Sequence, residues 1–227
     1  MLNEWKKVGF QYFWGDYLDS RFYVASMISK KKSDLILDIG CGAGVLLHFA
    51  NSKFKIGIDG DWASLKAAHS LYPSLNLIQA DVRYLPLKDN FFDNALAIGI
   101  IPALENKKER EFLCNEIHRI LNFGGKVIIM GSNRRSKHFK STHTAEQMFS
   151  YPHHSEMLEH LKNNFEVNIE GFGPYSKYIM AILKRIVYAF PTKIVTMFGI
   201  ERFTFKILRS KRFLKHGRSY IITCKKK

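Results

Sequence analysis

Three acids and three glycines within the first 81 residues have the types and spacing of a cofactor site. The glycines alternate directly after the short apolar run LILDI, and a helical pattern, VLLHFA, follows them. Alternate glycines let a ligand approach the main chain closely, and the start of a helix leaves N–H groups unpaired. A carboxylate can accept two hydrogen bonds from a ribose diol. The residues concerned are Gly40, Gly42, Gly44, Asp38, Asp59 and Asp81.

The spacing of the glycines excludes two common nucleotide-binding loops. The dinucleotide fingerprint needs glycine at its first, third and sixth positions, and the sixth position counted from Gly40 is Val45. The phosphate-binding loop needs Gly-Lys-Ser or Gly-Lys-Thr, and neither follows here. A nicotinamide-dependent oxidoreductase is therefore disfavoured.

The stretch 38–44 resembles the first motif of the class I S-adenosylmethionine-dependent methyltransferases, and the chain is similar to their type 11 methyltransferase domain. The motif's pattern of acid, apolar residue, Gly, x, Gly, x, Gly is matched at every position. This resemblance implies S-adenosyl-L-methionine as the cofactor, with its methionine moiety held by Asp38 and by the main chain of the glycine turn. The cofactor-binding positions that it implies are Asp38, Gly40, Cys41, Gly42, Gly44, Asp59, Gly60, Trp62, Asp81, Val82 and Ile98.

The same resemblance implies a role for the polar residues after each strand. Asp59, at the end of the second predicted strand, corresponds to the acid that binds the ribose hydroxyls. Asp81, after the third, corresponds to the acid that accepts the adenine amino group, and the N–H of Val82 would meet a ring nitrogen. Trp62, at the start of a helix, corresponds to a side chain placed against the adenine; the alternative is an ordinary packing aromatic.

Strands that alternate with helices have to position these residues. Apolar runs predict seven strands, at 35–39, 54–58, 75–79, 92–98, within LNFGGKVIIM after a glycine turn, at 165–172 and at 219–226. Helices are predicted after the glycine turn, from Asp61 or Ser64 to about Ser70, over 107–121 and in SEMLEHLKNN. This order predicts an α/β fold with a Rossmann-like, mostly parallel seven-stranded sheet, helices on both faces and one antiparallel strand.

The length of 227 residues suits one such domain, and the hydrophobic content of 46% is that of a folded protein. We divide it into an aromatic helical cover (1–30), a cofactor-binding core (31–173), a basic and apolar insertion between the last two strands (174–218), and the last strand with a basic tail (219–227). In the resembled family an N-terminal helix often covers the cofactor; the alternative is that it only packs on the edge of the domain.

Most of the formal net charge of +15 lies in the last quarter of the chain, where 174–227 hold 14 basic residues and 1 acid. The insertion is predicted to be helical, but its uncharged runs are shorter than the roughly 20 apolar residues that a membrane-spanning helix needs. Three interpretations stay open: a lid with a solvated basic face, an amphipathic element on an anionic membrane or an amphiphilic substrate, and a surface for RNA phosphates. RNA ranks last because the insertion is strongly apolar.

No residue is assigned as the catalytic base. Many small-molecule members of the resembled family carry histidines just after the fourth strand, where this chain has Pro102 and Ala103. Weak candidates for the base are Tyr12, Tyr17, His138 and His143. Because these histidines are missing, an alternative function stays open: a non-catalytic module that has the same fold and binds a partner through its insertion.

Three unpaired cysteines and the absence of an apolar leader predict a cytoplasmic protein, which would be peripheral to the membrane if the amphipathic interpretation holds. No spacing of histidines, cysteines and acids predicts a metal site. We therefore expect a transferase that methylates a small-molecule or amphiphilic, lipid-like acceptor, with RNA as the alternative acceptor.

Overall fold

The computed structural model describes residues 35–50, 52, 54–135, 151–172, 209–214, 217 and 219–227. The predicted N-terminal cover and the insertion up to 208 lie outside these residues. So do all four weak candidates for the base: Tyr12, Tyr17, His138 and His143.

One mixed sheet forms the centre of the molecule. Its strands lie in the order β3-β2-β1-β4-β5-β8-β6-β7. The first five run parallel to one another, and β8 is antiparallel to both β5 and β6. The strands are β1 (Leu35–Ile39), β2 (Phe54–Asp59), β3 (Asn76–Gln79), β4 (Phe92–Ile98), β5 (Leu121–Ser132), β6 (Phe165–Phe172), β7 (Arg209–Ser210) and β8 (Ser219–Lys226).

The seven predicted strands and the one antiparallel strand predicted among them, which is β8, are thus confirmed. The two-residue strand β7 extends the sheet beyond β6, although these residues fall within the predicted insertion. A segment this short carries no period of its own, so the free edge of β6 decides that it becomes a strand.

Four helices and two 3₁₀ turns connect the described strands. Three of the helices begin at a residue whose side chain accepts a hydrogen bond from a main-chain N–H of the first turn; these residues are Asp61, Asn106 and His153. The prediction of Asp61 as a helix cap is confirmed. The elements are α1 (Val45–Phe49), α2 (Trp62–Leu71), Ile101–Ala103, α3 (Lys107–Ile120), α4 (His154–Leu161) and Lys211–Leu214.

Both faces of the sheet are covered, as the sequence predicts. Successive residues of β1 face opposite layers, so Leu37 lies in one apolar cluster and Ile36 in the other. Ile117 of α3 and Met157 of α4 belong to the first cluster, and Val45 of α1 belongs to the second. The near-continuous apolar runs of the central strands follow from burial on both sides.

The start of β5 differs from the prediction. We expected a glycine turn between the helix and the fifth strand, but β5 pairs with β4 from Leu121 onward. Two steps along β4, from Phe92 to Asn94, match five steps along β5, from Leu121 to Lys126, so the extra residues form a bulge. Gly124 allows this bulge because its φ is +73°, a region that residues with a Cβ rarely adopt.

No helix among the described residues is long and apolar enough to cross a membrane.

Lys226 of β8 has a buried side chain that joins three parts of the fold. Its exposed fraction is 5%, and its Nζ donates to Asn90 Oδ1 at 2.7 Å, His118 O at 2.8 Å and Leu121 O at 2.9 Å. We expect Lys226→Ala to lower the free energy of unfolding by about 2 kcal/mol, because buried acceptors lose a charged donor. Urea denaturation measures the change.

Lys225 supplies a matched control for that prediction. Its side chain is 52% exposed, and its nearest acid, Glu166, is 3.9 Å away. Lys225→Ala should therefore leave the unfolding free energy within about 0.5 kcal/mol of the original value. Equal destabilisation by the two substitutions would contradict the role given to Lys226.

Candidate cofactor-binding site

The predicted cofactor residues meet at one edge of the sheet. Because β3, β2, β1 and β4 are adjacent and parallel, their carboxyl ends lie side by side. Asp59 ends β2, the glycine turn follows β1, and 80–82 follow β3. Ligands of open α/β sheets bind at this edge.

The glycine turn is held by main-chain hydrogen bonds to the neighbouring strand. Gly40 N and Cys41 N both donate to Ile58 O, at 2.8 and 2.9 Å. Gly40, Gly42 and Gly44 have φ values of +74°, +52° and +74°. All three lie in the left-handed region, which explains why glycine alternates here.

The three glycines differ in what a side chain would meet. A Cβ at Gly44 would lie 2.8 Å from Leu75 Cδ1, and one at Gly40 would lie 2.9 Å from Ile100 Cδ1. A Cβ at Gly42 would meet no atom of the described residues within 4 Å. The main chain at Gly42 therefore faces open space, which is what a cofactor resting on this turn requires.

Asp59 braces the turn from the end of β2. Its Oδ2 accepts a hydrogen bond from Gly42 N at 2.8 Å, and its Oδ1 accepts one from Asp61 N at 2.9 Å. An ionised carboxylate has about four acceptor positions, so both oxygens can still accept from a ligand. The ribose role of Asp59 stays a prediction, and the structure adds that this side chain shapes the glycine turn as well.

Asp81 has a partner that the sequence analysis missed. Its Oδ1 accepts from Arg83 Nε at 2.9 Å, and its Oδ2 accepts from Arg83 Nη2 at 2.5 Å. These hydrogen bonds hold the pKa of the Asp81 carboxyl below its usual value. On its other side, Arg83 Nη1 lies 2.6 Å from Glu109 Oε1 of α3. The spacing Asp-x-Arg was the only available signal in the sequence.

The remaining predicted cofactor residues fall into two groups. Asp38, Cys41, Val82 and Ile98 are buried, with Asp38 only 2% exposed. Gly60 and Trp62 are exposed at the start of α2, where the indole is 56% accessible. Lys66 Nζ lies 5.9 Å from the centre of the Trp62 ring, and both interpretations of Trp62 stay predictions. The individual contacts of these residues with a cofactor stay predictions.

Cys41 has no features of a nucleophile. Burial, and to a smaller extent the nearby Asp38 and Asp59, raise the pKa of its thiol to about 12. A thiol with this pKa is protonated at neutral pH and unreactive. Cys41 acts as a small residue within the turn.

No catalytic base emerges from the described part of the site. Pro102 and Ala103 lie in the 3₁₀ turn after β4, where the resembled enzymes carry histidines. His153 caps α4, and burial together with the neighbouring His154 lowers its pKa to about 4. Within the described ranges, no group of histidines, cysteines and acids forms a metal site.

The comparison with protein-family models matches residues 37–129 to the family described as methyltransferase domain. The tRNA (carboxymethyluridine(34)-5-O)-methyltransferase of Saccharomyces cerevisiae is 31% identical over 108 residues, which are 45% of this chain and 39% of that protein. The ubiquinone/menaquinone biosynthesis C-methyltransferase of Campylobacter jejuni is 28% identical over 116 residues, which are 47% of this chain and 48% of that protein. This chain thus spans less than half the length of either relative.

The fold has counterparts among solved structures. A SAM-dependent methyltransferase from Archaeoglobus fulgidus superposes with a TM-score of 0.64 over 95% of this chain and 97% of that one, at 20% identity. The matched segment 37–129 contains the glycine turn, Asp59 and Asp81. Residues 37–129 of this chain thus match the methyltransferase domain family, and the described core has the Rossmann-like fold of a solved SAM-dependent methyltransferase.

Proposed function

We propose that the protein transfers a methyl group from S-adenosyl-L-methionine to an acceptor. One observation carries the proposal: a Cβ at Gly42 would meet no described atom within 4 Å, and the Gly42 N–H is hydrogen-bonded to Asp59 at the carboxyl edge of the sheet. This arrangement lies inside the segment that matches the methyltransferase domain. A turn that needed glycine only for packing would fill the space in front of Gly42, as it does at Gly44.

The residues of the chain act by binding and orientation. When bound, S-adenosyl-L-methionine would supply a methyl group activated by its sulfonium, so that in-line attack of an acceptor atom on the methyl carbon would release S-adenosyl-L-homocysteine as the leaving group. Gly42 and Asp59 would hold the cofactor's methionine and ribose parts, and Asp81 would hold its adenine. Fixed geometry of this kind removes much of the entropic barrier to the displacement. A base is required only where the acceptor atom must lose a proton.

We infer a small-molecule or amphiphilic acceptor, with RNA as the second candidate. The Campylobacter relative, named as a ubiquinone/menaquinone biosynthesis enzyme, supports the first candidate, and the yeast relative, named as a tRNA enzyme, supports the second. The 14 basic residues of 174–227 also favour an anionic acceptor such as RNA. Neither match covers half of this chain, so each relative supports the shared cofactor chemistry more strongly than its own acceptor. Neither relative supports a membrane surface as a partner.

A labelling experiment tests both levels of this proposal. The full chain is incubated with a cell extract and S-adenosyl-L-methionine that carries a radioactive methyl group, and the extract is then separated into RNA, lipid, protein and small molecules. We expect label in one fraction above that obtained with Asp59→Ala. Label in the small-molecule or lipid fraction supports the first acceptor, and label that ribonuclease releases supports RNA. Equal labelling by the two proteins would contradict the proposed activity.

A further inference from the structure

Arg83 connects the end of β3 to the start of α3. All of the hydrogen-bond donors that the described residues bring to the Asp81 carboxylate belong to Arg83, namely its main-chain N–H, Nε and Nη2. The guanidinium also contacts Glu109, which lies in the first turn of α3. Two carboxylates from distant parts of the chain therefore hold one arginine.

Glu109 is itself firmly placed. Its Oε2 accepts from Glu105 N at 2.8 Å, and its own N–H donates to Asn106 Oδ1 at 3.0 Å, the cap of α3. The side chain of Glu109 is 16% exposed, whereas those of Arg83 and Asp81 are 37% and 41% exposed. The orientation of the Asp81 carboxylate therefore depends on a series of hydrogen bonds. The series begins with Glu109 at the start of α3 and passes through Arg83 to Asp81, the predicted adenine-binding acid.

Stability alone gives little reason for this arrangement. Exposed ion pairs contribute at most about 1 kcal/mol, because water competes for both charges. The arrangement does fix orientation, because a guanidinium that donates to both oxygens of a carboxylate restricts the rotation of that carboxylate. Arg83 contacts Asp81 through three of its donors, and a carboxylate with about four acceptor positions keeps capacity for one more.

We propose that Arg83, held by Glu109, is a positioning residue that orients the Asp81 carboxylate to accept a hydrogen from the exocyclic amino group of the cofactor's adenine. This proposal rests on the proposed function, because it concerns the same cofactor. According to this proposal, Asp81, Arg83 and Glu109 together select adenine over a purine that lacks the amino group.

The test compares two ligands that differ only at the purine. S-Adenosylhomocysteine carries the amino group, and S-inosylhomocysteine carries a carbonyl oxygen in its place. We expect Arg83→Ala to weaken the binding of S-adenosylhomocysteine roughly tenfold in calorimetry, while its affinity for S-inosylhomocysteine changes less than about twofold. Arg83→Lys, which keeps a charged donor but not the paired contact, should retain part of the preference for adenine.

Arg119→Ala is the matched control. Arg119 contacts the far end of the loop 80–91, which joins β3 to β4. Its guanidinium donates to Leu85 O at 2.8 Å, Leu87 O at 2.7 Å and Asp89 Oδ1 at 2.6 Å. It contacts neither Asp81 nor Glu109. Its removal should leave the ratio of the two affinities unchanged. The melting temperature of each variant, measured alongside, reports any general loss of structure.

Several outcomes would overturn the role of Arg83 while leaving the proposed function intact. They are unchanged or tighter binding of S-adenosylhomocysteine by Arg83→Ala, an equal loss for both ligands, and the same selective loss in Arg119→Ala. If the unsubstituted protein binds neither ligand, the proposed function itself is overturned.

Discussion

Asp59→Ala should weaken the binding of S-adenosylhomocysteine at least 100-fold, which corresponds to about 2.7 kcal/mol. Two losses combine in this variant. The ribose hydroxyls lose a charged acceptor, and each such hydrogen bond contributes about 1.5 to 3 kcal/mol. The N–H groups of Gly42 and Asp61 also lose the oxygens that they contact at 2.8 and 2.9 Å, so the glycine turn loosens. Isothermal titration calorimetry measures the affinity.

Asp89→Ala is the control for this effect. Asp89 is an exposed acid paired with Arg119 at 2.6 Å in the loop that leads into the amino end of β4, so it lies away from the cofactor edge. Its removal changes the net charge in the same way but should leave the affinity within about twofold. Unchanged affinity in Asp59→Ala would remove the ribose assignment and the bracing role together.

Gly42→Ala and Gly44→Ala should separate binding from folding. At Gly42 an added methyl group meets no described atom within 4 Å, so the variant should lose only about 1 kcal/mol of stability through its φ of +52°. Its methyl group would occupy the proposed cofactor space, and we expect affinity for S-adenosylhomocysteine to fall roughly 100-fold, or by about 2.7 kcal/mol.

At Gly44 the added methyl group would lie 2.8 Å from Leu75 Cδ1 and 3.2 Å from Ala68 Cβ, and φ is +74°. Strain and overlap together should lower the free energy of unfolding by about 2 to 4 kcal/mol. Chemical denaturation and calorimetry on both variants give the comparison. Full affinity in a folded Gly42→Ala would show that the space in front of Gly42 is not where the cofactor rests.

The sequence predicts the central strands correctly and places the candidate site at one edge of the sheet. Apolar runs of five to eight residues bounded by glycine and acids identify the central strands, because a strand buried on both faces has to be apolar throughout. The alternate glycines after β1 predict a turn with left-handed backbone, because only glycine adopts positive φ at little cost, and this turn is the candidate cofactor site. Asp59 and Asp81 follow from the same logic, since parallel strands bring their carboxyl ends together.

Tertiary structure alone decided which partners these residues have. That Asp59 braces Gly42 and that Arg83 ties Asp81 to Glu109 depend on distances across strands and helices, which no local pattern encodes. The bulge at the start of β5 and the short strand β7 arise for a related reason: the neighbouring strand provides hydrogen-bonding groups, and the chain adapts to them. The local sequence determines which secondary structures a segment can form. The packing of distant segments then determines which hydrogen bonds and ion pairs its residues make.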